Sequence, residues 1–459
     1  MDEVPFPIAI EPVSSDGRSQ TVMCLRLLRD LGGKRKVFDA IWNQQPVTVK
    51  IFTDPLKAKY HMKREWRGLR LLQERGLSSP TPLFCGRSKQ GGWAVVTKKI
   101  LDAPTIREIW DGADDEGIKH QLLRMVGKEL AAQHSKGVLQ KDLHLGNFLL
   151  QGERLFALDA AQMRFFSHQV DRRKSVSQLA LLKCNLPADE MDSFAEICKD
   201  YFRARGWDFD KSDEELLRNQ ASLYWKAAIR RELKKCIRTS RRYLKVKTGR
   251  YIAVSSRDFS QGADLPGFIE KVDELITSGQ VLKVGNTSYV ARSTWNGKDI
   301  VIKRYNHKGF LHSLRHTIKR SRARRSWVSA HRLLLVGVAT PRPLAYIEQR
   351  KGPLVWKSYL VTEYVAGQKL GDFLIDSGTD SDKCVEAVKG INKLIEKLKK
   401  YRIIHSDLKD SNILVTESGP VLTDLDSMKV HRLSWTYNLS HRKDLRRFTN
   451  RGSGGYGAL

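Results

Sequence analysis

Two stretches of the chain alternate apolar and polar side chains as half-buried strands do: Val47-Thr-Val-Lys-Ile-Phe52 and Ile300-Val-Ile-Lys-Arg-Tyr305. Each is followed by a helical spacing, Trp66, Leu69 and Leu72 in the first case and Trp327, His331 and Leu334 in the second. Further strands are expected over 93–97 and 358–363, and further helices over 122–134 and 385–401. A long helical tail, 175–243, ends the first series, whereas only 35 residues follow Asp424. The pattern therefore predicts an α+β protein in which a small β-rich lobe and a helical lobe occur twice, the second helical lobe being abbreviated.

The repetition extends to single residues. Residues 32–50 align without a gap on 285–303: Gly32 and Gly285 precede Val37 and Val290 by five, Trp42-Asn43 and Trp295-Asn296 follow, and Lys50 and Lys303 close each run. Gly76-Leu-Ser-Ser-Pro-Thr-Pro-Leu83 matches Gly337-Val-Ala-Thr-Pro-Arg-Pro-Leu344. Asp142, Asn147 and Asp159 match Asp407, Asn412 and Asp424, with spacings of five and twelve in both copies. Shared landmarks in one order predict two copies of one fold, over 1–250 and 266–459. The Ser- and Gly-containing stretch 251–265 is expected to be the linker. The recurring tryptophans are expected to pack in the core rather than stack on a ligand.

Composition narrows the classes. The chain has 459 residues, 41% of them hydrophobic, which suffices for more than one sizeable core. No run nears the roughly 18 apolar residues of a membrane span, and the opening residues lack the charged and apolar regions of a signal peptide. Six cysteines occur without a C-x-x-C pair, which argues against disulfide or zinc frameworks and for a reducing, cytoplasmic setting. Lys and Arg number 81 against 51 Asp and Glu, a net charge of +30. Ten of those cations lie between Lys303 and Arg332, among them Lys308, Arg315, Lys319, Arg322 and Arg324, with no acid. Eleven more lie between Lys226 and Arg250. Such runs attract phosphate-rich polymers, polyanionic saccharide or an anionic membrane face. Nucleic acid is disfavoured, because few aromatics interleave with the charges.

The repeated acids and amides suit phosphoryl transfer from ATP. A carboxylate must take the proton of the attacking hydroxyl, and Asp142 and Asp407 suit that role. Mg²⁺ needs hard oxygen ligands beside the phosphates, and Asn147 with Asp159, and Asn412 with Asp424, supply them. The apolar Ile413-Leu-Val415 and Val421-Leu422 would form the short hairpin that brings Asn412 and Asp424 together. Lys50 and Lys303 would neutralise the α- and β-phosphates, and Glu65, fifteen residues after Lys50 on a helix, would orient Lys50.

This set resembles the protein-kinase signature. Its finer form, Arg64-Glu-Trp-Arg-Gly-Leu69, the Gly76 to Leu83 entry and Asp142-Leu-His-Leu-Gly-Asn147, is similar to the bacterial lipopolysaccharide core kinases acting on Kdo or heptose. The resemblance implies two tandem protein-kinase-like domains, ATP and Mg²⁺ as cofactors, and lipopolysaccharide core saccharide or another polyanionic acceptor as partner. It also implies a peripheral place on the inner face of the inner membrane. Nucleotide contacts are then expected from Gly32, Val37, Lys50 and Glu65, and from Gly285, Val290 and Lys303.

Departures from that signature separate the copies. Of three phosphate-loop glycines only the middle one, Gly32 or Gly285, remains. Gln140 stands where His405 does, and Lys98-Lys99 where Glu363-Tyr364 does. Ser326 lies opposite Glu65, leaving Lys303 without the usual acid, so the first copy is the favoured catalytic centre. A pseudokinase-like module binding anionic lipid or nucleic acid, and a protein Ser/Thr kinase, are the alternatives.

Overall fold

The computed structural model describes residues 5–13, 18–186, 194–260, 264–306, 320–351, 354–377 and 382–451. Lys308, Arg315 and Lys319 of the basic run lie outside them. The chain divides into two compact units, Met1–Lys226 and Ala227–Leu459.

The first unit opens with a closed antiparallel barrel. Its strand order is Phe6–Pro12, Gln20–Leu31, Arg35–Trp42, Gln45–Phe52, Trp93–Lys98 and Pro82–Ser88, the last pairing with the first. Alternation puts Val47, Val49 and Ile51 into the barrel core beside Phe38, Ala40 and Val96. Lys50, between them, points to the opposite face. The repeated Trp-Asn marks a hairpin corner: Asn43 and Gln44 have φ of 47° and 63°, as a tight hairpin turn requires. Trp42 packs on Phe84, with ring centroids 4.9 Å apart, and bonds Gln20 through its indole N–H, so it serves packing as expected.

The helix Ala58–Glu74 lays Met62, Leu69 and Leu72 on the core, and Glu65 sits in that same buried stripe. Helices Glu116–Ser135, Arg172–Cys184 and Phe194–Ala204 build the second layer, knit by His134, whose Nδ1 is 2.5 Å from the Tyr201 hydroxyl. Arg205 donates to that hydroxyl and to the Val170 carbonyl.

The second unit has a seven-stranded antiparallel sheet. Its order is Tyr243–Lys247, Tyr251–Ser256, Pro343–Lys351, Leu354–Glu363, Lys298–Asn306, Ser288–Trp295 and Gln280–Gly285. The sheet corrects the expected linker: Tyr251–Ser256 is a paired interior strand with Ala253 and Val254 buried, and helix Leu265–Ser278 follows. The division of the chain falls earlier, inside helix Lys211–Lys235. The serines that suggested a linker are themselves buried at the strand end, Ser255 and Ser256. Asn296 and Gly297 repeat the left-handed corner, with φ of 46° and 73°, and Trp295 packs edge-on against Phe268. Helices Arg322–Leu335, Asp382–Lys400 and Ser434–Arg451 complete the unit.

Candidate active site

In the first unit one buried carboxylate organises the cleft. Glu65 is 1% exposed, and a charge at that depth is tolerated only when paired. Its Oε1 accepts from Lys50 Nζ at 2.5 Å and its Oε2 from the Ala161 backbone N–H at 2.8 Å. The same helix adds Arg64, which donates to the Ala161 carbonyl. Gly68 allows the close approach, since a Cβ there would lie 2.7 Å from the Ala160 carbonyl oxygen.

Lys50 Nζ also reaches Asp159 Oδ1 at 3.0 Å. Burial works to lower the Lys50 pKa, but Glu65 and Asp159 together outweigh it and the net shift is upward. For Asp159 burial pushes upward, and Lys50 and Arg35 overcome it, holding the carboxyl far below its ordinary range. Arg35 has no counterpart in the sequence reading. It occupies a place two residues before Val37, where the kinase pattern has a glycine, and donates to both Asp159 oxygens, at 3.1 and 3.5 Å. A charged residue in the degraded glycine loop was the available signal.

The loop that carries Asp142 runs into a short hairpin. A 3-10 turn, Leu145–Asn147, leads into strand Phe148–Gln151, which pairs with Arg154–Ala157. The Leu158 N–H donates to the Asn147 carbonyl at 2.8 Å, so Asn147 and Asp159 emerge side by side. Asn147 Nδ2 donates to the Asp142 carbonyl at 2.7 Å, which leaves the amide oxygen as the group available to a cation. Asp142 is exposed. Gln140, in the histidine position, turns inward to Gln133 at 2.9 Å. Lys99, in the hinge position, is held by Asp39 at 2.7 Å. Val37 pairs with Lys50 in the ladder, and Gly32 lies in the exposed turn before it.

The second unit repeats this geometry with different links. Lys303 Nζ lies 2.5 Å from Asp424 Oδ1. Burial lowers the Lys303 pKa, while Tyr305 and Asp424 raise it to a net upward shift; Asp424 is depressed, its burial overcome chiefly by Lys303. The turn Asp410–Asn412 precedes strand Ile413–Thr416, paired with Gly419–Leu422, and the Thr423 N–H bonds the Asn412 carbonyl at 2.9 Å. Asn412 Nδ2 donates to the Asp407 carbonyl at 2.8 Å. Lys409 Nζ is 3.0 Å from Asp407 Oδ2. His405 is buried and its Nε2 is 2.8 Å from the Thr423 carbonyl. Val290 pairs with Lys303, and Gly285 ends its strand, exposed. Asp444, from the last helix, was not foreseen: its carboxylate accepts from the Ser406 and Leu408 N–H groups at 3.1 and 3.3 Å, fixing the loop on either side of Asp407.

Both Asp159 and Asp424 have left-handed backbone, with φ of 57° and 59°, a conformation that costs energy for a residue with a side chain. Each unit thus presents one amide oxygen and one carboxylate beside a lysine. That donor set fits Mg²⁺, which is usually bound by one or two carboxylates together with substrate phosphates rather than by a complete protein cage.

A family model described as the lipopolysaccharide kinase (Kdo/WaaP) family matches residues 41–196 and 269–451. None of the curated proteins matches. Among solved structures, the chain is similar to WaaP in complex with acyl carrier protein. The TM-score is 0.32 at 21% identity, over 46% of this chain and 88% of that one.

Proposed function

The chain belongs to the lipopolysaccharide kinase (Kdo/WaaP) family, and from that premise we propose that it transfers the γ-phosphoryl group of ATP to a Kdo or heptose hydroxyl of the lipopolysaccharide core at the cytoplasmic membrane face. Membership makes it a phosphotransferase with an alcohol acceptor, acting on the lipopolysaccharide core. The proposal extends to two protein-kinase-like domains in tandem, each with its own cleft. Its carrying observation is the Lys50–Glu65–Asp159 cluster, recurring as Lys303–Asp424.

Asn147 with Asp159, and Asn412 with Asp424, would hold Mg²⁺. The ion would offset charge on the phosphoryl group in transit. Lys50 and Lys303 stay cationic at neutral pH because neighbouring acids outweigh burial, and so orient the α- and β-phosphates. Asp142, exposed at the cleft, takes the proton of the attacking sugar hydroxyl, and Asp407 does so in the second unit. Among the described residues no helix is long and apolar enough to cross a membrane. The net charge of +30 supports attachment to an anionic surface and to a phosphorylated saccharide.

The test offers labelled ATP and Mg²⁺ with core saccharide, a generic protein or no acceptor. Label on the saccharide alone is expected. Label only on protein would make the chain a protein kinase, and no transfer or nucleotide binding would leave a polyanion-binding module.

A further inference from the structure

The second unit lacks the helix acid that pairs with Lys50 in the first, yet its helix is tied to the metal loop by other means. Arg322, in the first turn of Arg322–Leu335, donates through Nε to Asp426 Oδ2 at 2.8 Å and through Nη2 to the same oxygen. Its Nη1 reaches Thr287 Oγ1 at 3.1 Å, in the turn just after Gly285. The guanidinium lies 4.7 Å from the centre of the Tyr305 ring. Tyr305, two residues beyond Lys303 on the same strand and buried, has its hydroxyl 3.1 Å from Ser326 Oγ, the residue opposite Glu65.

One cation therefore joins the helix, the phosphate turn, the lysine strand and the metal loop. In the first unit Phe52 stands in the place of Tyr305, and Ala161 in that of Asp426. There the helix gives the acid and the loop gives a backbone N–H. The second unit reverses the charges, with the cation on the helix and the acid on the loop. Asp426 is 7% exposed and takes two N–H bonds from one guanidinium, so it is committed to Arg322 while Asp424 faces Lys303.

We propose that the Arg322–Asp426 pair replaces the missing helix glutamate and so keeps the second cleft competent for magnesium nucleotide, with Asp426 a positioning residue rather than a metal ligand. The proposal rests on the reading of the clefts as nucleotide sites.

Its test uses the full chain carrying K50M and D142N, which disable the first cleft. Calorimetric titration with a non-hydrolysable ATP analogue and Mg²⁺ is expected to find one site. R322M and D426N are each expected to weaken it at least tenfold and to raise the Mg²⁺ concentration needed. The double variant should be no weaker than the worse single one, and R322K should keep part of the affinity, which also serves if R322M loses the parental thermal transition. Parental affinity in R322M and D426N, or an effect of D426N with none of R322M, would overturn the proposal. So would a wild-type chain that binds one nucleotide and a K50M/D142N chain that binds none. A wild-type chain that binds no nucleotide would instead defeat the reading beneath it.

Discussion

Glu65 occupies a position in the helix that the spacing of Met62, Leu69 and Leu72 assigns to the core, and its charge is tolerable there only because Lys50 and the Ala161 N–H meet it. Glu65→Gln is therefore expected to free Lys50 and to slow the first cleft on the order of 10²-fold, the usual effect of a small misplacement of a reacting group. Steady-state turnover in the D407N background, where only the first cleft works, would measure it. Gly68→Ala drives a Cβ against the Ala160 backbone. It is expected to destabilise by about 1–3 kcal/mol, the range for overpacking, and to weaken nucleotide binding with it; thermal unfolding and analogue titration report the two effects. His134, wholly buried, has its pKa lowered to about 3, first by burial and then by Arg205. The unfolded chain takes up a proton there below about pH 6.5, while the folded chain does so only near 3. Stability is thus complete above that window and is lost as pH falls through it, by up to about 1.4 kcal/mol per unit. Urea midpoints between pH 7 and 4.5 should fall less steeply in His134→Leu. The pairing of Lys50 with Glu65 was legible because a strand lysine and a helix acid fifteen residues later fit one pattern. Asp444 was not, since nothing local in a C-terminal aspartate announces a partner more than 30 residues away, and Arg35 left only its charge in the degraded glycine loop as a signal.

Elements were read best where periodicity was strong and punctuation simple. The strands through Lys50 and Lys303 lie where alternation put them, and the hairpin after Asn412 lies where its apolar residues did. The Trp-Asn repeat proves to be a left-handed hairpin corner, a turn in which Asn is favoured for its positive φ. The strand Tyr251–Ser256 was misread because serine and glycine around it outweighed a short apolar run whose neighbours, Tyr243–Lys247 and Pro343–Lys351, are distant in sequence or themselves ambiguous. Strands Phe6–Pro12 and Gln20–Leu31 drew no expectation for a similar reason: a proline-bounded segment and an irregular one declare themselves only by closing the barrel. The helix Ser434–Arg451 gains its meaning from Asp444. Asp444→Ala removes the acceptor of two loop N–H groups and is expected to cost about 1–3 kcal/mol, together with turnover at the second cleft. Unfolding curves and the D142N background test both effects.

At the scale of the molecule, each of the two units brings a strand lysine to an aspartate, with different links around the pair. The first links helix to loop through an acid, and the second through Arg322. Part of the basic run is thereby accounted for, since the half-buried Arg322 is engaged by Asp426 and Thr287. Arg320 stays exposed and available to a polyanion. The measurement that bears most directly on the account is transfer of labelled phosphate from ATP to lipopolysaccharide core by wild type, D142N, D407N and the double variant, with Mg²⁺ present and chelated. The account predicts Mg²⁺-dependent labelling that each single variant reduces and the double variant abolishes. Undiminished labelling in the double variant would contradict it.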